Sequence, residues 1–153
     1  AYLSLVQLQA GVTWQKSHYT RPEKWSKDSS VPAEKRIFRP PDWYGYFTAT
    51  YSPVKPLNIA LSGTYTGSMI VQHMKGYIPK DMAVTTPDFF DMNLKISYDF
   101  SLYKFITLQL NAGVQNIFNA YQRDFDQGKE RDSGYIYGPS MPRSYFAGAK
   151  LMF

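Results

Sequence analysis

An all-β, antiparallel architecture is predicted by three features of this sequence. Apolar residues recur with a period of two in six separate segments, the segments are long, and the connections between them alternate long and short. The composition agrees. Aromatics are 17% of the chain against 19% for all charged residues, a balance that suits strands with amphipathic surfaces. Cysteine is absent, which excludes disulfides, thiolate metal sites and a cysteine nucleophile. The net charge of +5 is compatible with an anionic partner of several kinds and selects none of them.

In the first segment Tyr2, Ser4, Val6, Leu8, Ala10, Val12 and Trp14 share a face, and Gln7, Gln9, Gly11 and Thr13 share the other. The second sets Trp43, Gly45, Phe47, Ala49 and Tyr51 against Tyr44, Tyr46, Thr48, Thr50 and Ser52. The third runs on one face from Leu57 through Ile59, Leu61, Gly63, Tyr65 and Gly67 to Met69, with Asn58, Ala60, Ser62, Thr64, Thr66 and Ser68 opposite. The fourth sets Phe90, Met92, Leu94, Ile96, Tyr98 and Phe100 against Phe89, Asp91, Asn93, Lys95, Ser97 and Asp99. The fifth sets Ile106, Leu108, Leu110, Ala112 and Val114 against Thr107, Gln109, Asn111, Gly113 and Gln115. The last sets Tyr145, Ala147, Ala149, Leu151 and Phe153 against Ser144, Phe146, Gly148, Lys150 and Met152. No charged residue stands on any of the apolar faces.

Alternation also fits a soluble sandwich. Segment length points elsewhere: about 10–13 residues, where ordinary strands have about 5–6 and a tilted bilayer crossing needs about 9–11. The connections at residues 15–42, 70–88 and 117–143 are long, whereas those at 53–56 and 101–104 are short. Outer-membrane barrels have this asymmetry, with short periplasmic turns and long extracellular loops. No apolar run reaches the length of a spanning helix. The mean hydropathy of −0.39 averages a lipid face with a lumen face, so it is blind to such a barrel. Two aromatic girdles are expected on the apolar side. Trp14, Trp43, Tyr65, Phe90 and Tyr145 form the long-loop one, and Tyr2, Tyr51, Tyr98, Phe100 and Phe153 the short-turn one. Six strands are too few to close a membrane barrel, so further strands are expected before Ala1, in preference to completion by other copies.

Residues Leu110-Asn-Ala-Gly-Val-Gln-Asn-Ile-Phe-Asn119, Tyr121-Gln-Arg-Asp-Phe125, Arg131-Asp-Ser-Gly-Tyr-Ile-Tyr-Gly-Pro139 and Pro142-Arg-Ser-Tyr-Phe146 carry a family resemblance. They resemble the C-terminal end of TonB-dependent outer-membrane receptors, with the flavour of Bacteroides-type receptors. Asp42-Trp-Tyr-Gly-Tyr-Phe47 and Leu61-Ser-Gly-Thr-Tyr-Thr-Gly-Ser-Met69 fit the same pattern. The resemblance implies that residues 1–153 are the last six strands of an antiparallel transmembrane β-barrel of about 22 strands. The plug and the earlier strands would then lie upstream, and the C-terminus would be periplasmic. It implies import of a scarce nutrient across the outer membrane of a Gram-negative bacterium, driven through TonB. The substrate would be an iron chelate, haem, cobalamin or a glycan, with the first and third mildly preferred to glycans. Expected partners are that substrate, outer-membrane lipid and lipopolysaccharide, TonB through the N-terminal region, a surface lipoprotein and the barrel-assembly machinery. Gly148, Leu151 and Phe153 resemble the terminal assembly signal, although Phe146 stands where a polar residue belongs.

Other constellations are weaker. His18, His73, Met69, Met74 and Met82 lack the fixed spacing of metal ligands and read as loop residues. Asp91, Lys95 and Asp99 read as a polar ladder on the lumen face, with no accompanying nucleophile or cleft acid to suggest an enzyme. The cations of residues 15–42 are interspersed with acids and read as a solvated mixed-charge loop; lipopolysaccharide phosphates are the functional alternative. No cofactor and no nucleic-acid partner is expected. The competing readings are a passive porin or adhesin-like barrel and a soluble β-sandwich binding module.

Overall fold

The computed structural model describes residues 5–153, which hold ten strands and no helix. They are β1 (Leu5–Trp14), β2 (His18–Glu23), β3 (Glu34–Arg36), β4 (Trp43–Val54), β5 (Leu57–Thr66), β6 (Ile70–His73), β7 (Met82–Thr85), β8 (Phe89–Tyr103), β9 (Ile106–Gln115) and β10 (Ser144–Met152). Six of them make one sheet in the order β1-β4-β5-β8-β9-β10. Every pair in it is antiparallel. Each of the six alternating segments is therefore a strand of a single up-and-down sheet. No closed barrel is formed by the described residues, in which β1 and β10 each have one partner.

The register turns six amphipathic strands into one amphipathic sheet. Leu8 faces Ala49, Ala49 faces Leu61, Leu61 faces Leu94, and Leu94 faces Val114, which faces Tyr145. The polar side is as consistent, with Gln9 opposite Thr48, Thr48 opposite Ser62, and Ser62 opposite Asn93. A slip of one residue in any strand would exchange its two faces, so the pattern specifies the pairing.

Neither face is covered by a second layer among the described residues. Leu8 is 72% exposed and Val12 74%, so their side chains have gained little from folding. The buried apolar residues lie instead at the long-connection end. Met69, Val71 and Tyr135 form a cluster there, with Val84 and Tyr137 against it.

The long connections carry structure that the strand pattern left out. β2 pairs with β3 inside residues 15–42, and β6 with β7 inside residues 70–88. The third segment also ends sooner than its alternation implied. β5 stops at Thr66, Gly67 donates its amide to the Trp43 carbonyl, and Met69 turns into the buried cluster instead of joining the apolar face. Both short turns are tighter than expected, with β4 extending to Val54 and β8 to Tyr103. Each strand carries one extra residue there. Tyr51 pairs with Ile59 and Val54 with Leu57; Ser101 pairs with Thr107 and Tyr103 with Ile106. Such bulges reset the alternation, which brings Val54 and Tyr103 to the apolar side opposite Leu57 and Ile106. Tyr2 and Ser4 lie outside the described residues.

Phe47 lies over its cross-strand partner Gly63 and stacks toward Phe90, with ring centroids 6.4 Å apart. A Cβ on Gly63 would meet Phe47 Cζ at 2.9 Å, and the three atoms nearest to it all belong to Phe47. Gly63→Ala is expected to destabilise the folded protein by about 1–3 kcal/mol through overpacking. In denaturant titrations, adding Phe47→Ala should cost less than the sum of the two single changes. Additive losses would show that the ring does not occupy that space.

Candidate functional site

The three long connections interlock into a cap at one end of the sheet. Residues 116–143 contain no strand, and side chains organise them by satisfying the backbone groups that a ladder would otherwise pair. Asn116, at φ 51°, accepts the Ala120 amide and donates to the carbonyls of Ala120 and Met141. Asn119, at φ 55°, accepts the Arg143 amide at 2.9 Å. Asparagine tolerates this left-handed backbone better than most residues. The Asn-Ile-Phe-Asn step quoted for the resemblance is thus a turn that returns the chain toward β10. Gln122, 1% exposed, donates to the Tyr135 carbonyl and accepts the Tyr137 amide.

Acids pin the connections to one another. Asp126 lies 2.9 and 3.0 Å from His73 Nε2, joining residues 116–143 to β6, and the His73 ring stacks on Tyr135 at 3.7 Å. Asp132 accepts the Met74 amide. Asp81 accepts the Ser26 hydroxyl and the Lys75 amide, which hold its carboxyl below the usual range. Arg39, at φ 81°, donates to the carbonyls of Gly134 and Ile136. Asp124 accepts the Tyr135 and Tyr137 hydroxyls at 2.8 and 2.6 Å. Burial, the largest effect, pushes Asp124 up, but the Tyr137 and Tyr135 hydroxyls bring it below the usual carboxylate value. Burial, then Asp124, pushes the Tyr135 phenol up to about 12 and raises that of Tyr137 as well.

Beneath the cap, on the polar face, Asp91, Asn93, Gln115, Asn116, Ser140 and Ser144 line a cleft of about 360 Å³ with neighbouring prolines and Met141. A smaller cleft of about 200 Å³ sits one step up β8, against Phe89, Tyr121, Arg123 and Tyr137. Asp91 Oδ1 is buried without a hydrogen-bond partner among the described residues. A buried acceptor left unpaired costs about 1–3 kcal/mol, and more when charged. A ligand or chain segment that brings an N–H or O–H to the cleft would remove that penalty. Asn93 Oδ1 accepts the Asn116 amide, which ties this strip to the cap.

The residues expected at the girdles are spread along the six-stranded sheet. Trp14 pairs with Trp43, with ring centroids 6.1 Å apart, and Tyr65 pairs with Phe90. Tyr145 is opposite Val114, next to the same end. Tyr51, Tyr98 and Phe100 are exposed toward the short turns, with the last two rings 4.6 Å apart. Gly148 lies on the polar face opposite Asn111, Leu151 on the apolar face opposite Leu108, and Phe153 is 98% exposed.

The polar ladder is not a linked one. Asp99 accepts Gln109, whereas Asp91 and Lys95 are in no ion pair among the described residues. His73 is buried with Asp126, His18 is exposed on β2, Met69 joins the core, and Met74 and Met82 are exposed. Gln122, Asp124, Asp126 and Arg39 escaped sequence reading because Tyr135, His73 and Gly134, which they meet, are 11 or more residues away and some of these contacts use backbone atoms.

Comparison with protein-family models, curated proteins and solved structures finds no match for this chain.

The low Asp124 value sets a sign. Its contribution is fully present above the ordinary value of 3.8 and is lost as pH falls through the lower folded value. Hydrogen exchange at the Tyr135 and Tyr137 amides should therefore stay slow down to the ordinary carboxylate range and accelerate only below it. Gln122→Leu should accelerate the Tyr137 amide even at neutral pH, because it removes that amide's acceptor. Unchanged exchange in this variant would contradict the assigned role of Gln122.

Proposed function

We propose that this chain is part of the wall, lumen lining and extracellular loops of a TonB-dependent transporter in a bacterial outer membrane. The observation that carries the reading is the continuous, charge-free apolar face that the register assembles across six strands and leaves uncovered. Water is a poor solvent for such a face, whereas lipid is a good one. A soluble sandwich needs a second sheet over the apolar side, and the only other sheets among the described residues are two-stranded hairpins.

The two bare edges, β1 and β10, would pair with further strands, since an unpaired edge in lipid leaves backbone groups unsatisfied at several kcal/mol each. The polar face then lines the lumen. Its cleft at Asp91 and Asn93, under the interlocked cap, would meet the plug or the transported nutrient. Residues 110–146, which carry the resemblance to TonB-dependent receptors, favour an energised importer over a passive pore. In this reading the girdle rings sit at the two headgroup boundaries. Gly148, Leu151 and Phe153 would be read by the barrel-assembly machinery as a strand adding to an exposed edge.

Uptake by cells expressing the whole protein tests the energised part: accumulation should stop when TonB is deleted, and TonB-independent permeation would support a passive pore. Arginine at Leu61 or Leu94 tests the membrane part. Either change should destabilise the intact barrel by about 2–4 kcal/mol, and Ser62→Arg or Asn93→Arg by much less, measured by unfolding in lipid. Equal losses on the two faces would contradict the assignment.

A further inference from the structure

We infer that the polar strip of β8 from Asp91 to Lys95 binds a short extended peptide with both ends free, its ammonium at Asp91 and its carboxylate at Lys95. The inference rests on the reading of the polar face as a lumen lining, and it names the class of compound that lining would take.

Two opposite charges stand unanswered on this strip. Asp91, Asn93 and Lys95 are alternate residues of β8, opposite Thr64, Ser62 and Ala60 of β5. Neither Asp91 nor Lys95 is in an ion pair among the described residues. Asp91 lines the cleft beneath the cap, where its Oδ1 is buried without a partner. Lys95 is exposed, and its cross-strand neighbours Ala60 and Gly113 carry no charge. Asp99, the next acid along the same face, already accepts Gln109 at 2.7 Å.

The spacing keeps the two charges from answering each other. Four residues of strand span about 13 Å, which is beyond hydrogen-bond reach and longer than the distance of about 8–10 Å over which salt screens exposed charges. A ligand carrying the complementary pair at that separation would satisfy both. An extended peptide has nearly the same rise per residue, so three or four residues put its termini about 10–13 Å apart.

The groups around the charges suit a peptide backbone, which offers N–H donors and carbonyl acceptors in turn. Asn93, Ser62, Gln115 and Ser144 supply amides and hydroxyls of both kinds. Asn93 Oδ1 accepts the Asn116 amide, so its own N–H groups are left for a ligand carbonyl. Phe146 adds an apolar surface at the Lys95 end. It pairs with Gly113, where a Cβ would meet Phe146 Cζ at 2.5 Å, so the ring lies over β9 on the rung of Lys95. A neutral sugar chain would leave both charges unanswered, and a compound charged at one end would leave one.

The test is calorimetric binding of tetraalanine to the whole protein in detergent, beside its N-acetylated and C-amidated forms. The free peptide should bind about tenfold more tightly than either blocked form, since each block removes one charge-assisted contact. Asp91→Asn should lose the discrimination against acetylation and keep that against amidation, and Lys95→Gln should do the reverse. This crossed pattern separates a lost contact from a lost fold, because each variant still reads one end. Equal binding of the three peptides, no binding of any, or an equal effect of either variant on both discriminations would overturn the inference. Uptake separates it from the reading beneath it. The crossed pattern with TonB-independent entry would support the peptide site and overturn the energised importer. TonB-driven accumulation of another nutrient, with no tetraalanine binding, would overturn the peptide site alone.

Discussion

Cross-strand register is the constraint on which everything else in this molecule depends. Each pair of strands could align polar against apolar and still make backbone hydrogen bonds. They align like with like across all five junctions, so that Leu8, Ala49, Leu61, Leu94, Val114 and Tyr145 fall on one side. That choice produces a sheet with two chemically distinct surfaces and gives each a different demand. The apolar one needs a nonaqueous neighbour. The polar one needs water, a ligand or another polar segment. The bulges before the two short turns serve the same constraint, because they bring Val54 and Tyr103 back to the apolar side where strict alternation would have turned them away.

The cap solves a different problem. Residues 116–143 are long, strandless and rich in charge, and their backbone has no ladder to satisfy it. Asn116, Gln122 and Asp132 supply the missing partners from side chains, and Asp126 and Arg39 attach the segment to the other two connections. The only compact apolar cluster among the described residues sits here, around Met69, Val71 and Tyr135. Among the described residues the sheet is therefore bare while its connections are packed. A rigid cap held over a polar strip is a suitable frame for a binding surface. Few of its contacts need forming when a ligand arrives, which lowers the ordering penalty of binding.

The sheet was legible in the sequence because strand periodicity is local: Leu57 to Tyr65 can be assigned to one face without knowing any partner. Two of the five neighbour pairs, β4–β5 and β8–β9, follow from connection length, since short turns force adjacent antiparallel strands. The hairpins at β2–β3 and β6–β7 were not legible. Their strands are three to six residues long, and the register of β2 with β3 is irregular. The cap network was hidden for another reason. His73 meets Asp126 across 53 positions, and Arg39 meets Gly134 across 95, so nothing in either neighbourhood announces the contact. Gly63 and Gly113 gave no signal of their own, yet each is the place where an aromatic ring crosses to the next strand.

The central claim is that the apolar face meets lipid while the polar face does not. Spin labels placed one at a time from Met92 to Ser97 on β8, in the whole protein within a bilayer, test it most directly. Collision rates are read with oxygen, which concentrates in the membrane, and with a water-soluble nickel complex. A membrane-facing sheet predicts strict alternation, with oxygen favoured at 92, 94 and 96 and no such preference at 93, 95 and 97. Equal access of the nickel complex to both sets, or the loss of any period of two, would contradict it.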